Sequence, residues 1–250
     1  IAEEHAVTFS SGLAKNGMIP FFAVYSTFLQ RSYDQLVHDV AMQDLKVIFG
    51  IDRAGFVGED GESHQGVFDT AYLMSVPNLS VLAPSSFDEL REMMYQAAYR
   101  ENHAVAIRYP RGGQGKIIDG YKYERADFDT FGDTNAEKCI VGFGREFLNV
   151  YEAIGELDNT FAIKLNRIKP INPNVLDLLK NVKTVYFFEE GIKSGGVGEC
   201  FGSMLAESDV TAKFRHICIE DEFIKQASVE SQLKKYRLDK ESIIDIVNQD

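Results

Sequence analysis

The sequence predicts an α/β protein of two domains, each a mostly parallel sheet flanked by helices. Short apolar runs with β-branched members alternate with longer amphipathic segments along nearly the whole chain. Runs such as Val47–Ile51 and Ala104–Arg108 are apolar on both faces, so helices are expected on both sides of the sheet. The alternation fails once, from Pro110 to about Ala136, where five glycines sit among charged and polar residues. That break divides the chain into residues 1–125 and 126–250.

Taken in order, residues 3–16 read as a helix, with Ala6, Phe9 and Leu13 near helical spacing and Gly17 as a stop. Ile19–Tyr25 reads as a strand. Ser26 or Thr27 can cap a helix to about Gln43, with Leu29, Tyr33, Leu36, Val37 and Val40 on one side. A strand at Val47–Ile51, a short helix within 66–75 and a strand at Leu79–Ala83 follow. Ser85 or Ser86 caps the next helix, to about Asn102, and Ala104–Arg108 is a strand ended by Tyr109-Pro110. The glycine-rich break is expected to hold one edge strand. Beyond it come a strand at Lys138–Phe143, a helix at Glu146–Leu157 and a strand at Thr160–Leu165. Pro170 and Pro173 bracket a helix start with Asn172 as cap. A strand at Thr184–Phe188, a glycine-rich turn, a helix at Gly196–Glu207, a strand at Lys213–Ile219 and two amphipathic helices complete the chain.

The totals narrow the function. A net charge of −12 argues against a nucleic-acid or anionic-membrane partner. It leaves room for a small anion, because Arg53, Arg108 and Arg111 can form a local basic pocket. The three cysteines have no C-x-x-C spacing and read as reduced structural thiols. No apolar run is long enough to span a bilayer. The opening on Ile1-Ala2-Glu3-Glu4-His5, without Met, points to a piece of a longer or processed protein.

Chemistry is expected in Phe49–Gly66, FGIDRAGFVGEDGESHQG. An apolar strand end opens into a loop that sets Arg53, Asp60 and His64 among glycines, and an open α/β sheet places its ligands at such an edge. The spacing is neither G-x-G-x-x-G nor a phosphate loop. No His/Cys/Asp/Glu group has metal-ligand spacing, and His5 and His38 read as structural.

Further motifs occur in order: Ile1-Ala2-Glu3-Glu4-His5-Ala6-Val7-Thr8-Phe9, Tyr25-Ser26-Thr27-Phe28-Leu29-Gln30-Arg31, Ile51-Asp52-Arg53-Ala54-Gly55, His64-Gln65-Gly66 and Arg108-Tyr109-Pro110-Arg111-Gly112. Together they resemble the 1-deoxy-D-xylulose-5-phosphate synthase family, thiamine-diphosphate enzymes of the transketolase superfamily. The resemblance covers that family's pyrimidine-binding and C-terminal domains, strongly to Gly112 and loosely beyond. It implies condensation of pyruvate with D-glyceraldehyde 3-phosphate in a cytoplasmic bacterial homodimer. The family's Gly-Asp-Gly motif, which holds the cofactor diphosphate and Mg²⁺, does not occur in these residues. Two alternatives stay open: another transketolase-like enzyme, or a fragment that folds and dimerises without catalysis.

By the same resemblance, Glu3 bonds the aminopyrimidine ring nitrogen, which requires a buried and partly protonated carboxyl. Glu4 departs from the family's glutamine and adds a charge beside it. Phe28 stacks on the pyrimidine, and Arg31 holds the conformation near the cofactor. Tyr25, Arg53 and Arg111 meet the sugar-phosphate end, where a guanidinium fork suits a phosphate. His64 meets the adduct or the acceptor carbonyl, and Asp60 orients it or contacts the acceptor hydroxyls. Glu189-Glu190-Gly191 and Gly195-Gly196-Val197-Gly198 resemble a strand-to-helix turn with dimer and scaffold duty.

Overall fold

The computed structural model describes residues 1–249. Helix α1 (Glu3–Lys15) ends at Asn16 and Gly17, the latter in left-handed backbone. Strand β1 (Phe21–Tyr25) passes straight into a helical run from Ser26 to Ala41. The sequence read this run as one helix. It is instead α2 (Ser26–Leu29), a 3-10 turn, α3 (Tyr33–Gln35) and a π-helical stretch over Leu36–Ala41. Leu29, Ser32, Leu36 and Val40 are all buried, a spacing that a uniform α-helix would also keep on one face, so the changes of pitch leave no mark on the apolar pattern.

Next come β2 (Ile48–Asp52), two 3-10 turns in the following loop, α4 (Asp69–Met74) and β3 (Leu79–Leu82). Helix α5 (Phe87–Tyr99) starts where the Ser86 side chain accepts from the Glu89 N–H, and β4 (Ala104–Arg108) follows. The irregular stretch holds one strand, β5 (Phe128–Phe131), antiparallel at a sheet edge to the strand Thr160–Leu165. The second half contains β6 (Lys138–Phe143), α6 (Glu146–Ile154), β7 (Thr160–Leu165) and β8 (Arg167–Lys169). A 3-10 helix over Pro173–Leu179, capped by Asn172, stands where the sequence suggested an α-helix. Last are β9 (Thr184–Ile192), α7 (Val197–Ala206), β10 (Lys213–Ile219), α8 (Val229–Lys235) and α9 (Lys240–Asn248).

The strands form two five-stranded sheets, in the orders β1-β2-β4-β3-β8 and β10-β9-β6-β7-β5. All pairs are parallel except β3–β8 and β5–β7. The fold is thus the two-sheet α/β architecture read from the sequence, with one addition. Strand β8, which follows β7, crosses to the edge of the first sheet and pairs with β3. Three residues are too few for a periodic signal, which is why the sequence did not show it. A fully buried ion pair also joins the halves: Lys164 Nζ lies 2.8 Å from Glu89 Oε2. Packing is continuous across the halves, since Val81 and Ala106 share one apolar cluster with Val141 and Phe187.

Candidate active site

Tyr25 lies opposite Asp52 and Ile51 opposite Arg108, so β1, β2 and β4 end together at one edge of the first sheet. The loops leaving that edge bring distant residues into contact. Arg53, the first residue beyond β2, has φ +61°, a conformation rare outside glycine. Its guanidinium lies 3.8 Å from the Tyr25 ring centre, its Nε donates to Asp60 at 3.2 Å, and a terminal nitrogen pairs with Asp52. Arg111 Nε lies 3.0 Å from the other Asp60 oxygen. The two arginines therefore converge, with the Asp60 carboxylate between them. Burial disfavours the Arg53 charge, but Asp52, Tyr25 and Asp60 outweigh it and raise the guanidinium pKa further.

The loop is closed at its neck by paired backbone bonds between Gly55 and Gly66, at 2.7 and 2.9 Å. Here glycine is required. A Cβ on Gly66 would stand 1.9 Å from the Arg53 carbonyl oxygen. Beyond the neck the loop carries Asp60 and His64. The Ser63 hydroxyl contacts His64 Nδ1 at 3.0 Å, and Thr27 donates to the Ser63 carbonyl at 3.0 Å.

An aromatic row continues the patch. Tyr25 and Phe28 stack with centroids 5.4 Å apart, and Phe28 meets the His64 ring edge-on at 5.4 Å. The Arg31 guanidinium lies 5.0 Å from the Phe28 centroid, and its Nη1 donates to Glu3 Oε1 at 3.1 Å. Glu3 opens α1, and its side chain is 13 % exposed. Its second oxygen, Oε2, is buried without a hydrogen-bond partner. Thus Glu3, Arg31, Phe28, Tyr25, His64, Arg53, Asp60 and Arg111 form one unbroken series of contacts. A polar heteroaromatic ring fits this end: the orphaned oxygen can meet a ring nitrogen, and Phe28 supplies a flat apolar partner.

Arg108 corrects the expectation of three arginines in one basic pocket. It is 5 % exposed and makes a bidentate pair with Asp69 at 3.0 and 3.1 Å, so its charge is already compensated inside the protein. Glu189 and Glu190 also differ from expectation, since both lie within β9 and not in a turn. Glu189 accepts from the Val197 and Gly198 N–H groups at the start of α7 and contacts His216 at 2.6 Å. Asp52 was missed by sequence reasoning. Its signal was a carboxylate directly before an arginine at a strand end. Among the described residues no group of three or more His, Cys, Asp or Glu could hold a metal ion, and no helix is long and apolar enough to cross a membrane.

Residues 1–114 match the transketolase pyrimidine binding domain, and residues 133–243 match the transketolase C-terminal domain. In fold the chain superimposes on a split-gene transketolase, described as an inactive β4 tetramer, with TM-score 0.85 and 23 % identity, over 100 % of this chain and 81 % of that one. For transketolase from Leishmania mexicana the values are 0.82 and 21 %, over 98 % and 36 %. The chain belongs to the transketolase superfamily, as a tandem of its pyrimidine-binding and C-terminal domains. Along its whole length it is a sequence relative of one member, 1-deoxy-D-xylulose-5-phosphate synthase. It is 40 % identical to that enzyme of Caldanaerobacter subterraneus over 259 residues, 100 % of this chain and 41 % of the relative. With the synthase of Marinomonas it shares 41 % identity over 248 residues, 97 % and 39 % of the two chains. The chain spans about two fifths of the length of these relatives.

Proposed function

We propose that this chain forms the pyrimidine and acceptor side of a thiamine-diphosphate site that condenses pyruvate with D-glyceraldehyde 3-phosphate. The products are 1-deoxy-D-xylulose 5-phosphate and CO₂, the former a precursor for isoprenoids, thiamine and pyridoxal phosphate. One observation carries the reading: the contiguous patch, with a free buried carboxyl oxygen at the Glu3 end and paired arginines at the Arg53 and Arg111 end.

The cofactor, when bound, supplies the electron sink that lets pyruvate lose CO₂. Glu3 Oε2 bonds its pyrimidine nitrogen and exchanges a proton there, while Arg31 fixes the other Glu3 oxygen. Phe28 stacks on the ring. His64 gives or takes a proton at the acceptor carbonyl oxygen, steadied by Ser63. Arg53 and Arg111 bind the acceptor phosphate, with Tyr25 packed on Arg53. Asp60 sets the separation of the two guanidinium groups and meets the acceptor hydroxyls. Residues outside this chain hold the diphosphate and Mg²⁺. The complete enzyme is a cytoplasmic homodimer, and the boundary between the two domains of this chain lies near residue 125.

The test is product formation by the full-length protein supplied with thiamine diphosphate, Mg²⁺, pyruvate and D-glyceraldehyde 3-phosphate. The reading expects 1-deoxy-D-xylulose 5-phosphate, and it expects the 250 residues alone to release no CO₂ from pyruvate. A full-length protein that ignores pyruvate but transfers a two-carbon unit between sugar phosphates would overturn it in favour of a transketolase.

A further inference from the structure

Between β6 and α6 the chain turns through Gly144-Arg145-Glu146 toward the first sheet. Arg145 Nε donates to Glu190 Oε1 at 3.0 Å, and its Nη2 donates to the Phe56 carbonyl at 3.2 Å. Glu190 Oε2 accepts from the Phe56 N–H at 2.9 Å. Phe56 is thereby held by both of its backbone groups, next to the Gly55 neck and between Arg53 and Asp60.

Glu146 stands beside this clamp. It is 2 % exposed, and neither carboxyl oxygen has a hydrogen-bond partner. Asn149, one turn along, directs its amide to the Leu238 carbonyl at 2.9 Å. The charged groups facing Glu146 are Arg145 from the start of its own helix, Glu190 from β9, Asp239 from the start of α9 and, across a small cavity, Arg108 from β4. Of these, Asp239 also has a buried oxygen without a partner. The cavity measures ≈ 20 Å³ and is lined by Glu146 with Arg145, Glu190, Arg108, Gly55 and Tyr109. A single water needs about 10–15 Å³, which this cavity, lined by charged side chains, has room for. An ionised Glu146 would be a buried charge with only Arg145 and the Asn149 amide to oppose its burial, beside the Glu190 and Asp239 carboxylates.

We propose that Glu146 stands as the neutral acid, shares the cavity with one water, and positions the Arg145–Glu190 clamp that fixes Phe56 and the loop carrying Arg53, Asp60 and His64. Burial, then the Glu190 charge, pushes the Glu146 carboxyl well above the usual carboxylate range, against the opposing Arg145 charge and the Asn149 amide. The sign follows. Unfolded, the side chain ionises above about pH 4.3. Folded, it keeps its proton to higher pH, so folding binds a proton and the site's contribution to stability falls as pH rises.

Three measurements on the full-length protein test this without using turnover, so failure of the synthase reading leaves them unaffected. A carboxylic-acid infrared band at neutral pH is expected in the parent and absent from Glu146→Gln. In calorimetry the Gln variant should gain on the parent steadily as pH rises above about 5. Amide exchange at Phe56 should match the parent in Glu146→Gln, and be about tenfold faster in Glu146→Leu, which cannot hold the water. The proposal is overturned if the parent and Gln variant share the same infrared band, if their melting difference is independent of pH, or if the Leu variant exchanges Phe56 at the parent rate.

Discussion

At the residue scale, the patch couples two arginines to one carboxylate. Asp60 gives one oxygen to Arg53 and the other to Arg111, so an acceptor phosphate meets donors already aligned but already paired. Losing one charged hydrogen bond costs about 1.5–3 kcal/mol, roughly ten- to hundredfold. In the complete enzyme, Arg53→Ala or Arg111→Ala should raise KM for D-glyceraldehyde 3-phosphate by that factor and leave KM for pyruvate nearly unchanged. The unphosphorylated aldehyde should be handled almost equally by mutant and parent. Equal losses for both natural substrates would make these arginines structural. Residue types and spacing nominated Arg53, Asp60, His64 and Arg111, whereas Glu3, Tyr25, Phe28 and Arg31 were nominated only by the family resemblance. Arg108 was misread because its partner, Asp69, lies on another element and pairing is decided by packing. Nothing in a strand-end arginine says whether it faces a cleft or a buried carboxylate.

At the scale of elements, the loop from Gly55 to Gly66 is the part whose backbone is most tightly specified. Its neck depends on contacts no side chain can share. Gly66→Ala forces a Cβ against the Arg53 carbonyl, and overpacking of this kind costs about 1–3 kcal/mol. Because the clash falls on the residue that bears the guanidinium, that variant should also lose acceptor affinity. Thermal unfolding together with acceptor titration checks both effects. Full stability with unchanged KM would show that the neck tolerates a side chain. The central strands were legible because both of their faces are buried and turn residues bound them. The pitch changes over Ser26–Ala41 were not, since apolar spacing alone does not separate a π stretch from an α-helix. Strand β8 escaped notice through its brevity, and Glu189 and Glu190 because a buried strand is not expected to end in acids. Glu190 is matched by the Phe56 N–H far back along the chain, and Glu189 by N–H groups at the start of the following helix α7, pairings that sequence spacing does not reveal.

For the whole molecule, the two sheets are bound by apolar packing and by buried polar ties, one of which is Lys164 with Glu89. Burial pulls the Lys164 ammonium below its ordinary value, and the Glu89 charge opposes that pull. Removing one partner of a buried pair leaves the other uncompensated, at about 3–5 kcal/mol. Lys164→Met should therefore lower the melting temperature by roughly 6–20 °C, and adding Glu89→Gln should restore much of the loss. A double mutant no better than the single would mean that the cost lies in packing. Together these ties hold the second domain against the loop edge of the first, so the patch is a property of the whole chain. Its central claim is that Glu3 is the group that activates the cofactor. Hydrogen–deuterium exchange at the thiazolium carbon of thiamine diphosphate, measured in the complete enzyme with Glu3→Gln, tests that claim most directly. An amide cannot pass a proton to the pyrimidine nitrogen, so exchange should fall by about a hundredfold or more while far-ultraviolet circular dichroism stays that of the parent. Exchange at the parent rate in a folded Glu3→Gln enzyme would contradict the account.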